Sequence, residues 1–380
     1  MFEYKKNNRY FAQISGTLED LAEKELAKLG AKNIDMSNRG CHFEADDESL
    51  YRIVLMAKIP QRILAPIVKF KCFSTKYLGI LCYKDIHWSQ LFGLDDKFGI
   101  VCNVRDSNIT NSHYASQVMK DSICDQYMLK TGKRPSFNIK EADILFNLHI
   151  NDNEATISLD LCGSSMHKRG YKINTVRAPL QETIANALIQ KSGWDGSKKL
   201  IDFMCGSGTF LGEAIQNYCG YPNDIIKPNN HITRLPNFNK ALWDKVKAEI
   251  KVNMRKLPDN LIYGNDISPT NVVASMENVR NLPDGNNVIF DNRNFKGIKY
   301  IKDSVIIVNP PYGIRLSDME DTKKLYIELG IFFREKCSNC EAYVLGGSKE
   351  LIECISMKPE WSKRVRNGNL DAFFAKYIIF

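Results

Sequence analysis

Hydrophobic and polar residues follow three successive patterns along the chain. In the first, YFAQIS alternates like a strand, and GTLEDLAEKELAKLG carries leucines at helical spacing. GCHFEA then predicts a second strand and DESLYRIVLMAKI a second helix that ends before Pro60. Residues 1–61 are therefore predicted to form a small α+β domain.

The second pattern covers residues 62–160. QRILAPIVKFKC and FGIVCNVRDSN are typical of strands, whereas HYASQVMKDSICDQYMLKTGKRP predicts an amphipathic helix that ends at Thr131-Gly132. ADILFNLHINDNEATISLDLCG predicts a hairpin with the polar residues Asn151, Asp152 and Asn153 at its turn. These elements indicate a second domain.

The third pattern, over residues 161–380, alternates strong apolar runs with helical segments. The runs lie in KKLIDFM, LIYGND, NNVIFDN, SVIIVN and EAYVLGG. Near-continuous apolar strands separated by helices predict a parallel, doubly wound sheet. Asn367-Gly368 lies between two further strands and favours a hairpin, which adds an antiparallel pair at the end of the sheet.

Composition changes this picture only modestly. A chain of 380 residues is too long for one core, and its net charge of +8 is compatible with a nucleic-acid partner without requiring one. The 11 cysteines are scattered, and the closest pair, Cys337 and Cys340, has neither a second pair nor a nearby histidine. No secretory signal or membrane span is recognisable. We expect a soluble, cytoplasmic protein with reduced thiols and no metal site.

The stretch DFMCGSGTF carries the first chemical signal, a strand that enters a glycine-rich turn and then a helix. Such a turn suits either a dinucleotide or S-adenosylmethionine. Gly206, Gly208 and Gly212 give the spacing GxGxxxG rather than GxGxxG. A dinucleotide site also expects an acidic residue about 20 positions later, but the acid that ends the next clear strand, Asp266, follows Gly206 by 60 positions. The spacing favours S-adenosylmethionine.

Two carboxylates fit such a methyl-donor site. Asp202, just before the turn, can accept a hydrogen bond from the α-ammonium group of the donor, and Asp266 can accept from the two ribose hydroxyls. The alternative for Asp266 is an N-cap of the helix that starts near Pro269. The segment between the two strands, HITRLPNFNKALWDKVKAEIKVNM, is predicted to be an insertion with its own helix.

The stretch VIIVNPPYG carries the second signal. Asn309 falls at the carboxyl end of a buried strand, where ligands bind in open α/β sheets. The exocyclic amine of a base is a poor nucleophile, and the Asn309 side-chain oxygen and the Pro310 carbonyl can accept its two hydrogens. Pro310 and Pro311 stiffen the turn, and Tyr312 can stack on an extruded base. The alternative is a simple turn after a strand.

These motifs resemble those of the class I S-adenosylmethionine-dependent amino-methyltransferases. Residues 158–189 are similar to the segment that joins a THUMP domain to an RNA methylase domain. Over essentially its full length the chain resembles the RlmL-type group of 23S rRNA guanine-N2-methyltransferases. The resemblance implies a ferredoxin-like domain at 1–61, a THUMP domain at 62–160 and a Rossmann-like methyltransferase domain at 161–380, with a seven-stranded sheet whose last strand is antiparallel.

The resemblance also implies roles for single residues. Asn309, Pro310, Pro311 and Tyr312 would be catalytic. In the strand after Asp266, an acidic residue would lie near the adenine. Asp291 and Asn292 both remain candidates for this position. If Asn292 aligns with it, the acidic residue is missing from this chain. The residues implied to bind S-adenosyl-L-methionine, and its product S-adenosyl-L-homocysteine, are Pro179, Thr183, Asp202, Cys205, Gly206, Ser207, Gly208, Thr209, Asp266, Ile267, Asp291, Asn292 and Asn309.

RNA is the implied partner, and docking of RNA is the best explanation for a separate N-terminal half. Basic residues in two loops could contact phosphates or could be solvated loop charges. They are Lys133, Arg134, Lys168, Arg169 and Lys172. Our leading hypothesis is methylation of a guanosine N2 amine in 23S rRNA. The alternatives are a tRNA guanine-N2-methyltransferase, a DNA adenine methyltransferase, which usually lacks a THUMP-like domain, and a non-catalytic RNA-binding assembly factor.

Overall fold

The computed structural model of this chain describes residues 2–37, 39–175, 180–228, 231–313, 319–368 and 370–380. They form two units, each assembled from three stretches of the chain. The N-terminal unit contains the residues up to Ile14, Glu23–Met166 and Pro228–Glu249. The C-terminal unit contains Ser15–Ala22, His167–Lys227 and Ile250–Phe380.

One seven-stranded sheet organises the N-terminal unit, with the strand order β2-β3-β1-β4-β7-β6-β5. The strands are β1 (Arg9–Gln13), β2 (Lys32–Ser37), β3 (Gly40–Glu44), β4 (Arg62–Lys71), β5 (Phe98–Arg105), β6 (Ile144–Asn151) and β7 (Glu154–Asp160). β5 and β6 are parallel, and the other neighbours are antiparallel. β1 pairs with β4, so the strands predicted for the first two domains form a single sheet.

The predicted hairpin is β6–β7. Asn151 pairs with Glu154, and Asp152 and Asn153 form the two-residue turn with φ values of 49° and 54°. Positive φ at both central positions is the backbone that matches the twist of two antiparallel strands, and asparagine and aspartate tolerate it best after glycine.

The helices of the N-terminal unit are α1 (Glu3–Asn7), α3 (Asp47–Met56), α4 (Thr75–Lys84) and α5 (Ser112–Thr131). Two further helices, α2 (Glu19–Lys28) and α8 (Lys240–Asn253), contain residues of both units. α5 ends as predicted, because Gly132 adopts φ 70° and its amide donates to the Met128 carbonyl at 2.9 Å.

The predicted insertion packs within the N-terminal unit, although it lies in the sequence between two strands of the other sheet. The ring of Trp243 meets Tyr51 edge to face at 5.5 Å between centroids. The Tyr4 hydroxyl donates to the side-chain oxygen of Asn237 at 2.8 Å. Residues 231–249 thus pack against aromatic residues of the unit that precedes them in the chain.

The C-terminal unit is built on a second seven-stranded sheet with the order β10-β9-β8-β12-β14-β16-β15. Its strands are β8 (Lys199–Asp202), β9 (Ile262–Asp266), β10 (Ile289–Asn292), β12 (Ser304–Val308), β14 (Cys340–Gly346), β15 (Trp361–Asn367) and β16 (Leu370–Ile379). The first five strands in this order are parallel, and β16 runs antiparallel to both of its neighbours. The predicted α/β fold with an antiparallel last strand is confirmed.

The helices of this unit are α6 (Glu182–Ser192), α7 (Thr209–Cys219), α9 (Pro269–Arg280), α10 (Met319–Lys336) and α11 (Lys349–Cys354), and the two-residue strands β11 (Ile301–Lys302) and β13 (Cys337–Ser338) form a small separate pair. Phe203, Phe295 and Phe332 pack together in the core, with ring centroids 5.3–5.5 Å apart. All five residues of β12 are buried, as expected for a central parallel strand.

The order of the strands in this sheet indicates where a ligand can bind. β9 lies on one side of β8 and β12 on the other, so the direction of winding changes between β8 and β12. Ligands of open α/β sheets bind beyond the carboxyl ends of the strands at such a switch point. The residues that follow β8, β9 and β12 therefore share one edge of the sheet.

Candidate functional site

The glycine loop, residues 203–208, connects β8 to α7. Gly206 and Gly208 adopt φ values of 54° and 76°, a left-handed backbone that favours glycine. Gly208 is also restricted by space, since a Cβ atom there would lie 2.4 Å from the Ser275 hydroxyl oxygen on α9. The loop therefore requires glycine for its backbone and, at position 208, for its close packing.

The structure brings together the two carboxylates that the sequence predicted. The Asp266 carboxylate accepts the Gly206 amide at 3.0 Å and the Ser268 amide at 2.9 Å. The N-cap of α9 is Ser268, so Asp266 does not cap this helix and instead binds the glycine loop. Asp202 is buried and accepts the Met204 amide at 3.0 Å. Burial raises the pKa of Asp202 well above its usual value.

The remaining loop residues bond to the neighbouring strand β9 and to the first residue of α7. The Cys205 amide donates to the Asn265 carbonyl at 3.0 Å, and burial raises the pKa of the Cys205 thiol well above its ordinary value. The Ser207 and Thr209 hydroxyls lie 3.3 Å apart. These contacts leave the loop well defined before any ligand binds.

Five buried side-chain oxygens lack a partner among the described residues, and three of them are the hydroxyls of Tyr10, Ser275 and Tyr312. The other two are Thr183 Oγ1 on α6 and Asn309 Oδ1 directly after β12. A buried polar atom without a partner costs about 1–3 kcal/mol, and most such atoms in native proteins are satisfied. These two oxygens indicate a place for a polar ligand. Pro179, which was predicted beside Thr183, lies outside the described residues.

Asp291 and Asn292 at the end of β10 have different partners. The Asn292 amide donates to the carbonyls of Asp266 and Ile267 at 2.8 and 3.1 Å. Asp291 instead accepts the Tyr263 hydroxyl at 3.1 Å and pairs with Arg293 at 2.5 Å. Of the two, Asn292 is thus directed to the turn after β9, where the apolar side chain of Ile267 is 65% exposed.

The NPPY loop, residues 309–313, follows β12. Asn309 and Tyr312 are half-buried, Pro310 is buried and Pro311 is exposed. Tyr312 packs closely on Gly347, because a Cβ atom at Gly347 would lie 2.5 Å from Tyr312 Cβ. The phenol hydroxyl is buried, which raises the pKa of Tyr312 to about 12. The ring is therefore anchored from one side by the backbone after β14.

The basic residues predicted to contact RNA divide into two groups. Lys133, Arg134 and Lys168 are exposed, and Arg134 forms a surface ion pair with Asp125 at 2.9 Å. The prediction is wrong for the other two, because both form buried ion pairs. Arg169 binds Glu213 at 2.9 Å with side-chain exposures of 2% and 0%, and Lys172 binds Glu182 at 3.3 Å with exposures of 8% and 9%. Buried ion pairs cannot reach phosphates without leaving an unpaired carboxylate behind.

The sequence interpretation missed the buried polar residues that support the glycine loop. Glu213 on α7 accepts Arg169, the Tyr171 hydroxyl and the Asn186 amide at 2.7–3.0 Å. Asn278 on α9 is 0% exposed and binds the Ser207 carbonyl. An acid inside the apolar run TFLGEAI was a usable signal for Glu213, whereas no spacing pointed to Asn278.

Metal ligation and membrane insertion find no support in the part of the chain that the structure describes. No three His, Cys, Asp or Glu side chains there are grouped as a metal site. None of the described helices combines the length and the apolar character that crossing a bilayer demands.

Family models match three segments of the chain. The RMKL-like methyltransferase domain matches residues 169–376, the THUMP domain residues 82–160 and the RlmL ferredoxin-like domain residues 9–64. The first of these segments contains every residue of the glycine and NPPY loops. The THUMP segment lies in the N-terminal unit, and so does the ferredoxin-like segment except for Ser15–Ala22.

Whole-chain comparisons agree with these matches. A Synechocystis sp. protein named provisionally as an RNA methyltransferase is 30% identical over 98% of this chain and 97% of its own length. The ribosomal RNA large subunit methyltransferase K/L of Vibrio campbellii is 30% identical over 98% of this chain, which spans 53% of that relative. The fold matches SMU.472, a provisionally named methyltransferase solved in complex with SAH (S-adenosylhomocysteine), with a TM-score of 0.84 and 22% identity over 97% of both chains.

Proposed function

The chain belongs to the family of the RMKL-like methyltransferase domain, and we propose that it uses S-adenosylmethionine to methylate the exocyclic N2 amine of a guanosine in 23S ribosomal RNA. The observation that carries the proposal is the Asn309 side-chain oxygen at the end of β12, which is buried and has no partner among the residues that the structure describes. The glycine loop follows the neighbouring strand at the same edge of the sheet.

The groups around the glycine loop fit the donor. When bound, S-adenosylmethionine supplies an electrophilic methyl group on a sulfonium sulfur. Asp202 would accept a hydrogen bond from its α-ammonium, since a cation beside this buried carboxylate offsets the cost of burial that raises its pKa. Asp266 would accept the ribose hydroxyls. The Thr183 hydroxyl, to which no residue in the described part of the chain bonds, offers a further polar contact.

The adenine would lie beside β10. Ile267 exposes an apolar surface on which a planar ring can pack. Asn292 is directed to the same turn, so we propose Asn292, rather than Asp291, as the nearer neighbour of the adenine. Asp291 remains bound to Arg293 and Tyr263.

Asn309 would act on the amine of the guanine. The lone pair of this amine is drawn into the ring, so the site must favour a pyramidal nitrogen while it gains the methyl group. Asn309 Oδ1 and the Pro310 carbonyl are two acceptors for the two amine hydrogens. Holding both hydrogens leaves the nitrogen lone pair directed away from them, and a neutral acceptor suffices because the methyl group is already strongly electrophilic.

The two prolines explain why the Asn309 oxygen is available. An asparagine at the end of a strand commonly accepts the amide of the residue two positions later, which forms an Asx turn. Here that residue is Pro311, and the residue between is Pro310; neither has an N–H group. The loop thus keeps its acceptor unsatisfied until a substrate amine arrives.

Tyr312 would stack on the extruded base. Its backbone and ring are fixed by Gly347, and the Tyr326 hydroxyl contacts the Pro311 carbonyl at 3.4 Å. A ring fixed in this way can hold a base at low entropic cost.

The N-terminal unit offers a surface for the RNA. A groove of about 530 Å³ between α4 and α5 is lined by Ile80, Tyr114, Lys76 and Lys84. Tyr114 is 56% exposed. Exposed aromatic rings beside lysines suit single-stranded nucleic acid, because bases stack on the rings while the cations bind phosphates. The THUMP match covers α5 and three of the seven strands of the sheet, β5, β6 and β7.

The choice of large-subunit ribosomal RNA rests on the relatives. The two Vibrio relatives are named ribosomal RNA large subunit methyltransferase K/L, and the chain spans about half of their length. The choice of the N2 amine of guanine rests on the resemblance of the chain, over essentially its full length, to the RlmL-type guanine-N2-methyltransferase group.

A labelled-methyl assay tests the proposal. The purified protein is incubated with methyl-labelled S-adenosylmethionine and deproteinised rRNA or tRNA from a strain that lacks this gene, and the modified nucleoside is identified by mass spectrometry. We expect N2-methylguanosine in 23S rRNA. Label in tRNA or on another atom would contradict the proposed substrate, and label in neither RNA, with normal binding of S-adenosylhomocysteine, would favour a binding-only role.

A further inference from the structure

Asn278, on α9, uses its full capacity for hydrogen bonds although it is completely buried. Its side-chain oxygen accepts the amides of Ile173 and Asn174, both at 2.8 Å. Its side-chain nitrogen donates to the carbonyls of Asn174 at 2.8 Å and Ser207 at 3.0 Å. An asparagine side chain has two acceptor and two donor positions, and all four are occupied here.

These four bonds join two segments that are far apart in sequence. Ser207 lies in the glycine loop between the two left-handed glycines, so its carbonyl orientation fixes the peptide that precedes Gly208. Ile173 and Asn174 belong to a segment without regular structure that precedes α6. Asn278 is thus a bridge between the glycine loop and residues 169–174.

The segment 169–174 is itself held by buried polar contacts. Arg169 forms the buried ion pair with Glu213, and the Tyr171 hydroxyl donates to the same carboxylate at 3.0 Å. Tyr171 also lies against Gly212 on α7, where a Cβ atom would be 2.7 Å from its ring. The segment therefore has a defined path over the helix that follows the glycine loop.

We propose that Asn278 is a positioning residue that sets the glycine loop for donor binding and couples this loop to the segment 169–174. The inference rests on the proposed use of S-adenosylmethionine, and it adds a residue that does not touch the donor. Binding of the donor to the glycine loop should consequently order the Ile173–Asn174 backbone, because the loop and this backbone are bonded to the same side chain, that of Asn278.

Asn278→Asp is the most informative substitution because it preserves size and shape. Aspartate can still accept the Ile173 and Asn174 amides, but it presents an oxygen to the two carbonyls that Asn278 now binds. Two buried hydrogen bonds become oxygen–oxygen repulsions, so we expect the affinity for S-adenosylhomocysteine to fall at least about tenfold.

Asn281→Asp is the matched control. Asn281 lies directly after the same helix and donates to the Tyr171 carbonyl at 3.0 Å, so it binds the segment but has no bond to the glycine loop. We expect its affinity for S-adenosylhomocysteine to stay within about threefold of the wild type, the effect of one partly buried bond. Equal losses in both variants would overturn a specific role for Asn278.

Calorimetric titration of the full chain with S-adenosylhomocysteine separates the possible failures. If the wild type does not bind, the proposed function fails. If the wild type and a folded Asn278→Asp variant bind equally, the inference fails and the proposed function stands. In turnover, the variant should raise KM for the donor at unchanged kcat and RNA KM; a fall in kcat alone would also overturn the inference.

Hydrogen exchange on the wild type covers the case in which the variant does not fold. Addition of S-adenosylhomocysteine should slow exchange of the Ile173 and Asn174 amides together with those of residues 206–208. Slower exchange of residues 206–208 alone would overturn the coupling.

Discussion

The glycine loop and the NPPY loop lie at the same edge of one sheet, but their polar groups are satisfied in opposite ways. In the glycine loop, the Gly206 amide binds Asp266, and the Ser207 carbonyl binds Asn278. In the NPPY loop, Asn309 Oδ1 is buried and no described residue bonds to it, and the next two residues in the chain are prolines without an N–H group. One loop is completed by the protein and the other is left incomplete.

This difference between the loops matches the different needs of cofactor binding and of substrate binding. A cofactor that returns in every cycle benefits from a loop that is already ordered, because ordering it on binding would cost conformational entropy. A reacting amine benefits from an acceptor that has no competing partner, because the hydrogen bond is then made only with the substrate. The two loops can therefore be tested by separate measurements of donor affinity and turnover.

The largest expected effect comes from Asn309→Ala. Loss of one acceptor at the reacting nitrogen should lower kcat by about 10²–10³-fold. The affinity for S-adenosylhomocysteine should stay within about twofold, because Asn309 is proposed to bind the amine and not to hold the glycine loop. Single-turnover methyl transfer and calorimetry measure the two quantities. A parallel loss of S-adenosylhomocysteine affinity would contradict the proposed difference between the two loops. As a control, Asn309→Asp retains an acceptor and should lose less activity than Asn309→Ala.

Gly208→Ala tests the other loop. The added Cβ would lie 2.4 Å from Ser275 Oγ in a backbone with φ 76°, so the loop must move. We expect the affinity for S-adenosylhomocysteine to fall by about 10–100-fold, the equivalent of about 1.4–2.8 kcal/mol.

Gly193→Ala is its matched control. Gly193, directly after α6, has φ 73° but open space around its Cβ position. Alanine there should cost about 1–2 kcal/mol of folding stability from the left-handed backbone, with unchanged affinity for S-adenosylhomocysteine. If both alanine variants lower Tm and neither lowers this affinity, the glycine loop is not part of the donor site.

Much of the C-terminal fold could be predicted because its central strands are short apolar runs that end in recognisable residues. β12 is buried throughout and ends at Asn309, and β9 ends at Asp266. β2 was missed because KNIDMS is a polar edge strand with no fully buried residue. Sequence periodicity reports the pattern of burial, and this pattern is weak in β2 because neither face of the strand is buried.

Site residues were predictable where function requires a left-handed backbone or a position at the end of a strand. They were not predictable where their role depends on hydrogen bonds to residues far away in the sequence. Gly206 and Gly208 are visible as glycines, whereas Asn278 is one polar residue in a helix that bonds residues 71–105 positions away. Arg169 was misassigned to the surface for the same reason. Its partner Glu213 lies 44 positions later, and no local pattern shows that a loop arginine is buried.

The smallest effect, and the sharpest test of the incomplete NPPY loop, is expected from Pro311→Ala. Alanine at this position restores the amide that can form an Asx turn with the Asn309 oxygen. The substrate amine must then displace an internal hydrogen bond, so kcat should fall by about three- to tenfold, the equivalent of one bond. Affinity for S-adenosylhomocysteine should not change.

Two further variants separate this mechanism from a simple gain in loop flexibility. Pro258→Ala, in an exposed loop of the same unit, reports the general effect of losing a proline and should leave kcat unchanged. The double variant Asn309→Ala/Pro311→Ala should be no slower than Asn309→Ala alone, because the restored amide has no oxygen left to bind. If the falls in kcat of the two single variants multiply instead, Pro311 acts by making the loop rigid. The missing amide at position 311 is then not the reason why the Asn309 oxygen is available.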